Sequence, residues 1–322
     1  MRFVVVGAGA VGGVIGGRLA QHGHEVVLVA RDPHLSAIRS RGLRLDWPEG
    51  SVVLGVDAVE SGADVSWRDD DVVLLCVKSQ DTDVALAQVR ASAHAGLPII
   101  CAQNGVESER RALRLFERVY GMCVMLPAEH LEPGIVRAYG TPNTGILDVG
   151  RYPLGSDDVT SEVSAALAAS EFVSESREDI MRWKHAKLLM NLGNAVEAAC
   201  GADARTSEVA ASAYNEGVAV LEAAGLPFVS AEEDMARRGT LMTLRPIDGQ
   251  RRDGGSTWQS LARGLGTVET DFLNGEIVIL GRLHGVDTPV NAMLQQLLAE
   301  MSRSGAAPGS KDSDTLLALL GR

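Results

Sequence analysis

Residues 2–17 read RFVVVGAGAVGGVIGG. The apolar residues 3–6 stop at Gly7, and Gly9 and Gly12 follow before a helix-compatible run to Ala20. This is G-x-G-x-x-G in the context that gives it meaning: strand, tight turn, helix start. Gly7 permits the turn, Gly9 lets a pyrophosphate approach the backbone, and Gly12 lets helix and strand pack closely. Ala10 and Val11 open the helix, where unbonded N–H groups and the helix dipole favour a phosphate. Gly13, Gly16 and Gly17 are expected to serve close packing rather than ligand contact. The stretch predicts a dinucleotide-binding α/β domain.

Working outward, the chain has 322 residues, enough for two domains with substantial cores. Its net charge of −12 argues against nucleic acid or an anionic membrane as the main partner. The four cysteines, Cys76, Cys101, Cys123 and Cys200, are widely spaced and suggest neither a metal site nor a disulfide framework. Cys76 and Cys101 sit in apolar strand-like runs and read as buried thiols, so a reducing, cytoplasmic setting is expected. No apolar run approaches the length needed to cross a bilayer.

Residues 25–30, EVVLVA, form the expected second strand. NAD-preferring folds usually carry an acid at its end to bond the ribose 2′-hydroxyl. Here the slot holds Ala30, then Arg31. A guanidinium can pair with a 2′-phosphate, so NADP(H) is expected, with Asp32 as the rival that would serve the ribose instead. Residues 71–78, DVVLLCVK, read as a strand buried on both faces, ending at Lys78. Strand carboxyl ends face the ligand crevice in such sheets, so Lys78 is placed beside cofactor or substrate. The next strand delivers Asn104 before Gly105, an amide at the same crevice and also a turn signal. Residues 121–149 suggest short antiparallel strands that complete the sheet. His130 falls among them and reads as a packing or surface histidine.

From about residue 178 the pattern is mainly helical. The expected organisation is a Rossmann-type doubly wound α/β domain over residues 1–177 and an all-α domain over 178–322, with residues 302–314 as a mobile linker. In residues 180–200, IMRWKHAKLLMNLGNAVEAAC, Lys187, Asn191 and Asn194 are spaced i, i+4, i+7 and share one helix face. Two amides and an ammonium on an otherwise apolar helix are costly to bury unless something polar meets them, such as a substrate carbonyl. Lys184, one turn earlier, is the competing lysine. Residues 254–257, GGST, read as a loop suited to a carboxylate through Ser256 or Thr257, or as a simple helix cap. Residues 267–281 start helical, with Glu269 near their beginning. Apolar helix faces in this half either pack within one chain or form a homodimer.

The chain resembles the ketopantoate reductase family. The resemblance rests on GAGAVG at residues 7–12, VKSQD with Lys78, QNG with Asn104, KLLMN with Lys187 and Asn191, and ETDFLNG from Glu269. It implies an amino-terminal Rossmann domain, a helical carboxy-terminal domain, an active site between them, and NADPH-dependent reduction of a small 2-keto acid in pantothenate biosynthesis. It implies Lys187 as the general acid for a hydride transfer from nicotinamide C4, Glu269 as the acid that contacts substrate, Asn104 and Asn191 as polar orienting groups, and Ser256 or Thr257 at the substrate carboxylate. The chain departs from the family pattern in the spacing of Trp183 and Asn194 about Lys187, and at Leu261, where an acid is frequent. A β-hydroxyacid dehydrogenase of the same two-domain type and a non-catalytic NADP(H)-sensing protein are the competing readings.

Overall fold

The computed structural model describes residues 1–264 and 267–319. The chain divides into two compact units. Met1–Lys184 with Ala231–Arg252 form the first, and His185–Ser230 with Asp253–Arg322 form the second.

In the first unit, strand Arg2–Val6 lies inside an eight-stranded sheet. It pairs in parallel with Val26–Val29 on one side and Asp71–Leu75 on the other. Both its faces are covered, and Phe3, Val4 and Val5 have no exposed surface. That is why the run is continuously apolar rather than alternating. Beyond Asp71–Leu75 come Ile99–Cys101 and Val119–Met125, still parallel, then Gly145–Arg151 antiparallel and Phe172–Val173 parallel to it. Asp57–Val59 closes the other edge on Val26–Val29.

Residues 121–149 only partly complete this sheet. Ala128–Glu129 and Ile135–Ala138 leave it and join Leu43–Trp47 and Gly50–Leu54 in a separate four-stranded sheet. The small face of helix Ala10–Gln21 accounts for the placement. A methyl at Gly13 would stand 2.6 Å from Val136 Cγ1, one at Gly17 3.4 Å from Leu43 Cδ2, and one at Gly16 2.7 Å from Leu28 Cδ2. The glycines let the main sheet pack on one side of the helix and the second sheet on the other.

The segment Ala231–Arg252 returns to the first unit, although it lies well past the boundary expected at 177/178. Met242–Leu244 pairs antiparallel with Gly140–Pro142. Arg237 donates to both oxygens of the buried Asp148, at 2.8 and 3.2 Å, and Arg177 donates to the same carboxylate at 2.9 Å. The sequence signal missed here is an ion pair between partners 89 residues apart.

The second unit is helical, with helices Glu208–Ala223, Ser256–Ala262, Asn274–His284, Pro289–Ser304 and Ser313–Leu319 beside most of Ile180–Cys200. Asn274 and Asn291 stitch it together. Asn274 Nδ2 donates to Asn291 Oδ1 at 2.9 Å and to the Leu192 carbonyl at 3.3 Å, and Asn291 Nδ2 donates to Glu216 Oε2 at 2.8 Å. Residues 302–314 contain the end of a helix, its left-handed cap Gly305, and two backbone bonds, from Gly309 and Lys311 to the carbonyls of Ala198 and Ala199, each 2.9 Å.

Candidate active site

The turn after the first strand is built as its glycines require. Gly7 has φ +100°, a conformation L side chains rarely adopt, and a methyl there would meet Val77 at 2.8 Å. At Gly12 a methyl would collide with the Gly7 carbonyl, whereas one at Gly9 would meet nothing within 4 Å. The loop is thus packed behind and open in front, which fits a pyrophosphate laid against the Gly9, Ala10 and Val11 amides. In front of it lies a cavity of about 380 Å³, whose wall includes Gly7, Gly9, Arg31, His34, Asp81 and His130.

Arg31 stands on that wall with 77% of its side chain exposed, its Nη2 3.8 Å from Asp81. A guanidinium so placed can take a 2′-phosphate in two hydrogen bonds. Asp32, the rival, points elsewhere: its Oδ1 accepts from the Ser36 N–H at 3.0 Å and the Ser36 hydroxyl at 2.6 Å. Those bonds hold its carboxyl below the usual range. His130 is a packing residue, its ring 4.1 Å from that of His34 and its Nδ1 3.0 Å from the Ile135 carbonyl.

Lys78 follows strand Asp71–Leu75 and precedes the 3₁₀ turn Ser79–Asp81. Asn104 follows Ile99–Cys101, and the turn holding it is pinned from two sides. The Gln103 side chain donates to the Val77 carbonyl at 2.7 Å and to Thr82 Oγ1 at 2.9 Å, while Lys184 Nζ donates to the Gln103 carbonyl at 3.0 Å. Lys184 therefore does not share the environment of Lys187. It is 3% exposed, with Nζ 2.6 Å from Oε1 of the wholly buried Glu109. Neither oxygen of Glu109 finds a well-angled donor among the described residues, so the attraction is ionic. Cys101 is buried as expected and Cys76 only half-buried. Desolvation pushes the Cys101 thiol well up and the Cys76 thiol up to about 12, which disfavours the reactive thiolate at both.

In the second unit, helix Ile180–Cys200 carries the half-buried Lys187 and the buried Asn191 and Asn194 on the anticipated stripe. Asn194 Nδ2 donates to Asn191 Oδ1 at 3.3 Å. Two residues missed in the sequence extend the stripe. Glu197, one turn beyond Asn194, accepts from Arg205 Nη1 at 2.7 Å and from the Gly255 N–H at 3.1 Å, and Arg205 Nη1 also donates to Asn194 Oδ1 at 3.1 Å. Glu197 continues the same helical spacing, which was the available signal. Arg205 lies past the helix end and left none.

Of the two readings of GGST, the structure shows the helix cap: Gly255 caps helix Ser256–Ala262. A methyl on Gly255 would come within 2.8 Å of Glu197 Oε2, so the glycine admits the carboxylate that holds this helix start. Ser256 is half-buried there, whereas Thr257 is 3% exposed. Glu269 opens a single 3₁₀ turn, Glu269–Phe272, separated by the irregular Leu273 (φ −116°, ψ −87°) from helix Asn274–His284. Asp271 accepts from Gln295 Nε2 at 2.8 Å.

No helix among the described residues is long and apolar enough to cross a membrane, and no cluster there is suited to a metal ion.

Known proteins share this arrangement along its length. The family model described as "Ketopantoate reductase PanE/ApbA" matches residues 3–153, and its carboxy-terminal counterpart matches residues 179–302. The chain is 29% identical to a 2-dehydropantoate 2-reductase of Pyrococcus horikoshii, over 97% of this chain and all of that one. It is 31% identical to a protein of the same name from Halobacterium salinarum, over 95% of this chain and all of that one. Among solved structures, a ketopantoate reductase of Ralstonia eutropha JMP134 superposes with a TM-score of 0.80 at 30% identity, covering 95% of this chain and 99% of that one. With both halves matched, and the glycine turn and the lysine–asparagine helix standing where the motifs placed them, the chain belongs to the ketopantoate reductase family.

Proposed function

We propose that the protein is an NADP-dependent oxidoreductase that reduces a 2-keto acid, ketopantoate first among them, to the 2-hydroxy acid. The observation that carries the reading is the stripe of Lys187, Asn191 and Asn194 on one helix, in a chain whose other unit opens with a phosphate-ready glycine turn. In the first unit, Gly7, Gly9, Ala10, Val11 and Gly12 hold the pyrophosphate, Arg31 holds the 2′-phosphate, and Lys78 and Asn104 serve the nicotinamide end. NADPH, when bound, supplies the hydride that reduces the keto carbon. Lys187 holds a proton at Nζ, bonds the keto oxygen and releases that proton to it as negative charge grows there. Asn191 and Asn194 orient the oxygen, Ser256 or Thr257 takes the carboxylate, and Glu269 takes a hydroxyl of the substrate. Of the two carboxylate candidates, the half-buried Ser256 is better placed than the buried Thr257.

The test is oxidation of NADPH across a panel of 2-keto acids, ketopantoate included, beside oxidation of 3-hydroxyisobutyrate with NADP. Acceleration by ketopantoate is expected. Turnover of the β-hydroxy acid alone would assign the protein to the dehydrogenases of similar architecture, and tight NADPH binding with no acceleration would make it a sensor. The reading includes a reducing cytoplasmic setting, supported by four free thiols. It also includes a homodimer, which sedimentation would detect.

A further inference from the structure

We propose that His34 is a positioning residue for cofactor binding: its imidazole locks the peptide plane that aims the Gly9 N–H at the pyrophosphate. His34 is 7% exposed, at the start of helix His34–Arg41. Its Nδ1 lies 2.8 Å from the Gly134 N–H and its Nε2 lies 2.8 Å from the Ala8 carbonyl. A backbone N–H can only donate, so Nδ1 is the acceptor, the proton sits on Nε2, and Nε2–H donates to Ala8.

The other peptide planes of the turn are set by backbone alone. The N–H groups of Gly7 and Ala8 both bond the Val29 carbonyl, at 3.1 and 3.0 Å, and the Gly9 carbonyl accepts from the Gly13 N–H at 2.7 Å. The plane between Ala8 and Gly9 is the exception, and His34 is the side chain that holds it. A trans peptide is rigid, and its C=O and N–H point in opposite directions. Fixing the Ala8 oxygen on His34 therefore fixes the direction of the Gly9 N–H, which has no acceptor among the described residues. Gly9 has neither a side chain nor a crowded neighbour to limit rotation of its own, so without the imidazole this plane is the least restrained of the turn.

The inference rests on the NADP(H) half of the reading above and not on the choice of keto acid. Asparagine places its carbonyl oxygen near the position of Nδ1 and keeps the Gly134 bond. Glutamine places its amide near Nε2 and keeps the Ala8 bond. NADPH dissociation constants, read by fluorescence titration, are expected to stay within about threefold of wild type for His34→Gln and to rise at least about tenfold for His34→Asn. Melting temperatures are measured on both variants. Wild-type affinity in His34→Asn, or affinity in both variants falling in step with melting temperature, would overturn the role and leave a merely structural histidine.

Should neither variant fold, the wild-type protein carries the test. Nitrogen-15 spectra of His34 are expected to show the Nε2–H tautomer, with that resonance moving as NADPH is added. An Nδ1–H tautomer, or a resonance indifferent to NADPH, would sink the proposal. A wild-type protein that bound no NADPH would sink both this inference and the cofactor reading. Binding that His34→Asn leaves unchanged would sink this one alone.

Discussion

Lys184 and Lys187 lie three residues apart on the same helix, yet they belong to different units and different kinds of environment. Lys184 is sealed: Glu109 sits at 2.6 Å and three backbone carbonyls surround its ammonium, those of Gln103, Met122 and Cys101 at 3.0, 3.3 and 3.5 Å. Lys187 is half-buried on a stripe of amides. His34 and Arg31, on the wall of one cavity, differ in the same way: one is 7% exposed with both ring nitrogens engaged, the other is 77% exposed in its side chain. Polar groups whose bonds are all spent inside the fold govern stability and its pH dependence. The roles proposed for Lys187 and Arg31, in chemistry and in selectivity, belong to the more exposed member of each pair.

The contrast is open to direct attack. Replacing Lys187 with alanine should lower kcat by about 10²–10⁴-fold, the contribution of a positioned general acid, with melting temperature and NADPH affinity near wild type. An unchanged kcat would remove it from the chemistry. Lys184→Ala should do the reverse, costing about 3–5 kcal/mol of stability in a denaturant titration because it strands the Glu109 carboxylate in the interior. Lys184→Met combined with Glu109→Leu should recover much of the loss, and a double variant no better than the single one would show that packing, not charge, is at stake.

The third test concerns pH. Burial first, then the neighbouring His130, pushes the His34 pKa down from 6.5 to about 4. Between those values the unfolded chain takes up a proton that the folded chain refuses. The contribution is fully present above pH 6.5 and is lost as pH falls towards 4, at most about 3 kcal/mol. His24, whose pKa burial also lowers, acts in the same direction. Melting temperature should rise from pH 4 to 6.5, with a shallower slope in His34→Gln. An equal slope would place the effect elsewhere. The smallest effect expected is on selectivity. Arg31→Ala should reduce the preference for NADPH over NADH in kcat/KM by about tenfold to a hundredfold, the worth of one or two charge-assisted bonds, with stability unchanged. A constant ratio would end the assignment of Arg31.

Features set by near neighbours in the chain were legible in the sequence. The glycine turn is dictated by sterics within a dozen residues, so its strand, its helix and its open face were all readable. The bounds and polar stripe of Ile180–Cys200 were also readable, since periodicity is a local property. Glu109 as the partner of Lys184 was not readable, because nothing in either neighbourhood announces an ion pair across 75 positions. The return of Ala231–Arg252 and the departure of Ile135–Ala138 to a second sheet are likewise long-range choices. Ser256 falls at the helix start that was one of the two readings of its stretch, whereas Glu269 lies in a turn set apart from the helix expected to begin there. Glycine before a short helix fits loop and cap alike, and a 3₁₀ turn interrupted at Leu273 looks like the first turn of a helix.

The carboxylate of Asp148 has a bearing on how the gene can be dissected. Arg177 reaches it from just before the long helix, and Arg237 from a segment that the chain supplies only after an excursion through the other unit. The unit that carries the glycine turn is thus discontinuous. An expression clone stopped at residue 184 would lack the second guanidinium and the strand at residues 242–244. A faithful fragment would instead splice residues 1–184 to residues 231–252 through a short linker.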